Sequence, residues 1–355
     1  MTRDDGPLVD LSQIREAAQR LAGITMRTPL VAFGPAEHRH WLKAESLQPI
    51  GAFKLRGAYN AIALLTADEQ ARGVVAHSSG NHAQGVARAA RLLGVRAVVV
   101  MPSDAPAIKR ARVAADGAEI VIVGPASGER EATAERLAAE RGLVPIPPYD
   151  DDRIIAGQGT CGLEVAEDMP DLAAVLVPIG GGGLASGVAA AVRALHPTAR
   201  IVGVEPELAA DARDSLAAGR IVRWDAEKVS RTIADGTRTQ AIGSRNFDHL
   251  SRLLDGIVTV SEAEIAAAVR LAAEESRLVV EPSGALSIAA LRFRAAEAGV
   301  DRVAGTVVAV VSGGNVDPAL YRELLAAPLP VERSRDMRGK RAAISVVSKD
   351  ADLER

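Results

Sequence analysis

The sequence predicts an α/β protein with two blocks of parallel-type sheet flanked by helices, and three observations lead there. Apolar, strand-length runs alternate with helix-length stretches twice along the chain, which is the pattern of parallel strands joined by crossover helices. Aromatic residues make up only 3% of the composition while Ala, Val, Leu and Gly abound, as expected where small and branched side chains pack between sheet and helices. At 355 residues the chain exceeds one typical domain, so two lobes with a cleft between them are expected.

The elements follow in order. Residues 1–65 carry an amphipathic helix, Leu11–Ala22, and a turn at Thr28-Pro29, and are expected to pack on one of the two blocks. The first block has a strand at Gly73–His77, a helix after Asn81, a strand at Ala97–Met101 and a helix from about Pro106 to Ala115. A strand at Glu119–Val123, a charged amphipathic helix from Ser127 to about Arg141 and the run Leu143–Ile146 complete it. The cluster Pro145, Pro147 and Pro148 closes the block. The second block runs through a strand at Ala173–Ile179, four glycines, a helix at Leu184–Leu195 and a strand at Arg200–Val204. It ends with a strand at Thr306–Val311, the turn Ser312–Gly314 and a helix opened by Pro318. Beyond about Pro328 the chain turns polar and basic, and residues 329–355 are expected to form a flexible tail.

Charge excludes some partners. The 42 basic and 45 acidic residues nearly cancel, which leaves no basic excess for nucleic acid or an anionic membrane. No apolar run reaches the roughly 18 residues that span a bilayer, and MTRDDGPLVD lacks the apolar core of a signal peptide. Cys161 is the only cysteine, so neither an internal disulfide nor a thiolate cluster forms. The expectation is a cytoplasmic protein that acts on a small molecule.

Four strings carry chemistry. In Gly51-Ala52-Phe53-Lys54-Leu55-Arg56-Gly57 a lysine stands between glycines beside an aromatic ring. A nucleophilic amine must be partly neutral, which needs desolvation or a nearby cation, and Phe53 and Arg56 are the expected sources. Ser78-Ser79-Gly80-Asn81-His82 and Pro178-Ile179-Gly180-Gly181-Gly182-Gly183-Leu184 both fall where a strand gives way to a helix. In an open parallel sheet that is where ligands bind, and successive glycines let several N–H groups converge on an anion. The last string, Ser312-Gly313-Gly314-Asn315, comes after the final strand. Taken alone, Gly180, Gly182, Ala185 and Glu205 also fit a dinucleotide fingerprint.

Together the four strings resemble the fold-type-II pyridoxal-phosphate (PLP) family, with its tryptophan synthase β-like architecture, and most closely its threonine/serine dehydratase and serine racemase branch. The resemblance runs from Thr28-Pro29-Leu30 to about Leu325 and includes Ala156-Gly157-Gln158-Gly159-Thr160, Thr232-Ile233-Ala234-Asp235-Gly236 and Glu281-Pro282. It implies a large PLP-binding domain of residues 1–68 and 151–328 and a small domain of residues 69–150. It also implies that Lys54 carries the cofactor, that Phe53 and Asn81 hold the ring, that Gly180, Gly181, Gly182, Gly183 and Leu184 bind the phosphate, and that Ser312 meets the pyridine nitrogen. Substrate is then expected on Ser78, Ser79, Gly80, Asn81 and His82. Relatives in this branch are commonly homodimers.

The implied activity is dehydration and deamination of a small β-hydroxy amino acid. A neutral Ser312 leaves the ring a weaker electron sink than an aspartate does, which favours elimination over transamination. Lys54 then serves as the base. Ser79, by resemblance to the racemase, faces the cofactor opposite Lys54, so serine racemization and hydroxyaspartate dehydration are the alternatives within the branch. A nicotinamide oxidoreductase is the alternative of another class, and it leaves the Lys54 and Ser312 strings without a use. A catalytically silent relative is a third.

Glu205, Ala209 and Asp211 match the branch's divalent-cation site, whose oxygen ligands suit Mg²⁺ or Ca²⁺. Arg130 matches a position near the substrate in the racemase, although a surface arginine is the reading favoured here. Ala52 stands where many relatives have serine. The segment after Asn315 is too short for the regulatory domain of the biosynthetic threonine enzymes, so feedback inhibition by isoleucine is not expected.

Overall fold

A computed structural model describes residues 6–330 apart from Ser79, Pro106, Pro125, Ala126 and Ala327. The expected tail therefore lies almost wholly outside the described residues. The strands are β1 (Leu30–Ala32), β2 (His40–Ala44), β3 (Val74–His77), β4 (Ala97–Pro102), β5 (Glu119–Val123), β6 (Val144–Pro145), β7 (Leu172–Pro178), β8 (Arg200–Pro206), β9 (Gly256–Val260) and β10 (Thr306–Val311). They form a four-stranded sheet in the order β5-β4-β3-β6 and a six-stranded sheet in the order β1-β2-β10-β7-β8-β9. These strands pair in parallel, except β1 with β2.

The expected strands and helices of both blocks are present, with ends shifted by one or two residues. Gly73, for example, takes φ +90° to stop the helix Ala67–Arg72, so β3 begins at Val74. All residues of β4 and β10 are buried, as parallel strands covered on both faces require. The sequence reading did not assign β1, β2, β9 or the helices Asp152–Asp168, Ser244–Leu253, Glu262–Ser276 and Pro282–Phe293. In the last of these, Pro282 through Leu291 are buried without a break, so no amphipathic period marks it. Among the described residues no helix is long and apolar enough to cross a membrane.

The helix Lys54–Ala63 sits at the junction of the two sheets. Its apolar residues Leu55, Ala58, Ala61 and Ile62 share a core with Val74 and Ala76 of β3 and with Ile154. The Ala156–Thr160 motif explains how helices approach here. A Cβ on Gly157 would lie 2.6 Å from the Arg56 carbonyl oxygen, one on Gly159 would lie 2.8 Å from Ile14, and Gln158 accepts the Gly57 N–H at 3.2 Å. These glycines serve close packing.

Arg56 is wholly buried inside this junction. It donates twice to Glu45 (2.7 and 2.8 Å) and twice to Glu164 (2.7 and 2.9 Å), and reaches Thr160 at 3.0 Å. Lys43, also fully buried, donates to Glu164 at 2.6 Å and to the Thr28 carbonyl at 2.7 Å, while the Thr28 hydroxyl donates to Glu45. Burial pushes the Glu45 carboxyl up, but the charge and hydrogen bonds of Arg56 outweigh it and hold the group below its ordinary value. Two cations and two carboxylates thus balance, with their donors and acceptors matched.

Replacing Arg56 with Met should destabilise the fold by about 3–5 kcal/mol, because Glu45 is left buried without its counter-charge. Urea unfolding read by circular dichroism measures it, and a loss below about 1 kcal/mol, the size of an exposed ion pair, would show that the cluster contributes little. Since the folded state holds Glu45 below its ordinary pKa, its contribution is present above that value and fades as pH falls through the lowered one.

Candidate active site

Lys54 is the first residue of its helix, and the loop before it is fixed by the loop after β10. The Phe53 N–H donates to the Ser312 carbonyl (3.1 Å), the Gly314 N–H donates to the Gly51 carbonyl (2.9 Å), and Ala52 forms a bridge with Gly313. Gly51 takes φ +73° to make the turn. Two of the four strings are therefore one structure. The Lys54 amine donates to the Pro148 carbonyl at 2.7 Å and stands 5.1 Å from the centre of the Phe53 ring. Burial lowers its pKa to about 8. The expectation that Arg56 helps is corrected, since its guanidinium is engaged by Glu45 and Glu164 and desolvation alone accounts for the shift.

The Ser78–His82 string joins from the four-stranded sheet. Asn81 opens the helix Asn81–Leu93, and its amide is held from both ends: Nδ2 donates to Glu281 at 2.6 Å, and Oδ1 accepts from Asn315 at 2.8 Å. Asn315 also donates to the Ile50 carbonyl (2.8 Å). Glu281 is buried, which raises its pKa to about 7, with Asp235 adding to the effect. Ser78 Oγ accepts the Gly80 N–H at 3.2 Å, and Ser79 lies outside the described residues. The His82 ring is buried, with Nε2 against the Ile146 carbonyl at 2.9 Å, and its pKa is lowered to about 3 by burial and then by Lys54.

The glycine string links β7 to the helix Gly183–Leu195. Gly182 precedes that helix at φ +101°, and among the described residues no N-cap side chain closes its first turn or that of the Asn81 helix. By contrast Asp10, Thr66, Asp151, Ser261 and Asp317 cap their own helices. The N–H groups at these two helix starts are therefore left open to an anion. A Cβ would strike Asn246 from Gly182 (2.7 Å), come 3.1 Å from Thr237 from Gly180, and overlap the Tyr149 ring from Gly181. Leu184 is buried. Ser312, also buried, directs its hydroxyl toward the Ser283 carbonyl at 3.4 Å. A buried amine of lowered pKa, a side-chain-free anion cradle and a neutral hydroxyl fit PLP.

Several residues here escaped the sequence reading. Lys109 pairs with Asp235 at 2.9 Å, and its amine would lie 3.7 Å from a Cβ on Gly80. With Arg238, Glu281 and Asn315 these two line a cleft of about 290 Å³. The string Thr232–Gly236 was the only hint of Asp235. Arg130 is half-buried, and its charge helps lower the pKa of His77 at the end of β3, so it is less exposed than a surface arginine.

Glu205 and Asp211 are both buried. Glu205 accepts the backbone N–H groups of Ala212 (2.9 Å) and Arg213 (2.8 Å), capping the helix Asp211–Ala218 from outside. Burial lifts the Asp211 pKa to about 7, against the opposing pull of backbone N–H groups that include Ile242. Burial likewise raises that of Glu205, with Asp211 adding repulsion.

Covalent attachment of a carbonyl cofactor needs the neutral amine, so capture of PLP by cofactor-free protein should speed up with rising pH and level off above about 8. Stopped-flow absorbance measures this, and a rate still climbing toward pH 10.5 would show Lys54 to be an ordinary lysine.

Known proteins agree with this geometry. Residues 8–313 match the family described as pyridoxal-phosphate dependent enzyme. The L-threo-3-hydroxyaspartate ammonia-lyase of Saccharomyces cerevisiae is 41% identical over 317 residues, covering 88% of this chain and 95% of the yeast protein. The crystal structure of a T.th. threonine deaminase superposes with a TM-score of 0.80 at 46% identity, over 87% of this chain and 99% of the other. Maize serine racemase superposes with a TM-score of 0.83 at 37% identity, over 89% and 97%. The chain belongs to the pyridoxal-phosphate dependent enzyme family, with its fold-type-II architecture.

Proposed function

We propose that this enzyme eliminates water from a small β-hydroxy amino acid such as L-threonine or L-serine, giving a 2-oxo acid and ammonia. The observation that carries the reading is the Lys54 amine, buried to a pKa of about 8 and tied by its own loop to the Ser312 loop. Lys54 would hold PLP, with Phe53 and Asn81 against the ring, Gly180–Gly183 and Leu184 around the phosphate and Ser312 at the pyridine nitrogen. PLP supplies an electron sink that acidifies the substrate Cα–H. Lys54 Nζ takes the Cα proton. The amide and N–H groups of Ser78–His82 orient the substrate carboxylate at the start of the Asn81 helix, where the helix dipole favours negative charge. The hydroxyl leaves as water, its added proton balanced by the one taken from Cα, and the released enamine takes up water to give the 2-oxo acid and ammonia.

A second reading concerns the substrate's side chain. Lys109 and Arg238 line the cleft together with Asp235, Glu281 and Asp317, so the reading rests on likeness to the yeast relative, which is named for 3-hydroxyaspartate, with Lys109 beside Gly80 as the nearest cation for a second carboxylate. Ammonia release across threonine, serine and both 3-hydroxyaspartate diastereomers decides between the two. Ser79 retains its proposed role in slow racemization, tested by chiral chromatography of Ser79→Ala beside the ammonia assay.

The carboxylates of Glu205 and Asp211, with the Ala209 carbonyl, are proposed to hold Mg²⁺ or a similar cation. Two buried acids close enough to repel one another, both of raised pKa, support it. We also infer a homodimer: Met26, Leu47 and Val279 are exposed apolar residues around the Ser46–Gln48 turn, where the Gln48 side chain binds Met26 and a Cβ on Gly314 would meet both Ser46 and the Val279 carbonyl. The lone, buried Cys161 supports a reducing compartment such as the cytoplasm.

Two outcomes are expected. Lys54→Ala should abolish turnover and covalent cofactor, and borohydride reduction followed by peptide mapping of the wild type should place the cofactor on Lys54; attachment to any other lysine refutes the reading. The melting temperature should climb with millimolar Mg²⁺ or Ca²⁺ and lose that dependence in the Glu205→Ala/Asp211→Ala variant. Identical melting in chelator and in metal would return both residues to a structural role.

A further inference from the structure

Tyr149 belongs to none of the four strings, yet it joins two of them. It comes directly after Pro148, whose carbonyl accepts the Lys54 amine at 2.7 Å. It precedes Asp150, whose carboxylate accepts the N–H groups of Ser244 (3.0 Å) and Arg245 (2.8 Å), and its own carbonyl accepts the Asp151 N–H at 2.9 Å. Residues on both sides are thus fixed, and the ring is held on the glycine loop. A Cβ on Gly181 would overlap that ring, and one on Gly183 would lie 3.0 Å from the Tyr149 Cβ. The other two glycines of the loop face Thr237 and Asn246. Of these three walls around the loop, Tyr149 is the one next to the residue that contacts the lysine.

We propose that Tyr149 is a cofactor-positioning residue whose ring closes the anion cradle of Gly180–Gly183 and sets the chain's preference for PLP over unphosphorylated pyridoxal. The physical basis is exclusion of water. A ring lying on the loop keeps solvent from the N–H groups that receive the phosphate, which strengthens those bonds, and leaves Lys54 free to reach the carbonyl end of the same ligand. Burial, with Asp150 and Asp211, keeps the phenol neutral by raising its pKa to about 12, so the wall places no negative charge beside the phosphate. The proposal rests on reading the loop as the phosphate cradle.

The test titrates cofactor-free wild type, Tyr149→Phe, Tyr149→Ala and Tyr149→Thr with PLP and with pyridoxal, following protein fluorescence, while thermal melting of each cofactor-free protein confirms that it is folded. Tyr149→Phe keeps the ring and should stay within about threefold of wild type for both ligands. Tyr149→Ala should weaken PLP by roughly tenfold or more, the scale of one hydrogen bond to a charged group, and change pyridoxal by less than about twofold. Tyr149→Thr keeps a branched side chain for the fold and carries the same expectation should the alanine variant not fold. PLP affinity unchanged in both ringless variants overturns the proposal, as does an equal loss for both ligands or a phenylalanine variant as weak as alanine. A wild type that binds PLP no better than pyridoxal overturns the cradle reading itself, which separates that failure from a failure of Tyr149 alone.

Discussion

The position of Lys54 depends on a charge buried two residues away from it, at Arg56. Arg56 fastens the Lys54 helix to Glu45 after β2 and to Glu164 on the helix Asp152–Asp168, with Lys43 completing the balance. Two bidentate pairs fix a guanidinium in orientation as well as place, because its donors form a rigid fork. The helix cannot slide or rotate without breaking them. Glycines at 57 and 157 then bring the backbones of this helix and the helix Asp152–Asp168 into close contact. A site that must hold one amine at one spot is built on an anchor that tolerates little displacement.

The second acidic pair behaves differently. Glu45 lies deeper in the protein than most carboxylates and still keeps its charge, since Arg56 more than repays desolvation. Glu205 is held by two backbone N–H donors rather than by a guanidinium, and for both it and Asp211 desolvation outweighs the hydrogen bonds received from the backbone, so both are pushed toward the protonated form. Equal burial gives opposite behaviour according to what stands opposite. The same logic applies to Lys54, which rests on a neutral carbonyl and is lowered by desolvation.

Much of this was legible along the chain. Alternating runs such as Ala97–Met101 and Thr306–Val311 located the parallel strands because burial on both faces makes them uniformly apolar. What escaped was of two kinds. β2 contains Lys43, which reads as a surface residue until its partner, 121 residues on, is known. The helix Pro282–Phe293 is buried all round and has no face for periodicity to find. In the site, Lys54, Asn81, the glycine loop and Ser312 carried distinctive local strings, whereas Tyr149, Lys109 and Asp235 acquire meaning only from contacts across the fold. Arg56 was singled out for the right neighbourhood and the wrong duty, since spacing alone could not tell which side of its helix holds the carboxylates.

The strap between the Lys54 loop and the Ser312 loop bears on how the protein is made. Asn315 and Ile50, bonded across it, are 265 residues apart. Contacts of such separation form late, because a long stretch of chain must be ordered before they close. On the ribosome the lysine emerges well before the strand that fixes its loop. Until that strand docks against β2 and β7, the amine hangs on an unanchored turn with ordinary solvent around it. The loop around Lys54 is thereby completed only in chains that have reached residue 315, and a fragment cut short within the second block leaves the lysine unanchored.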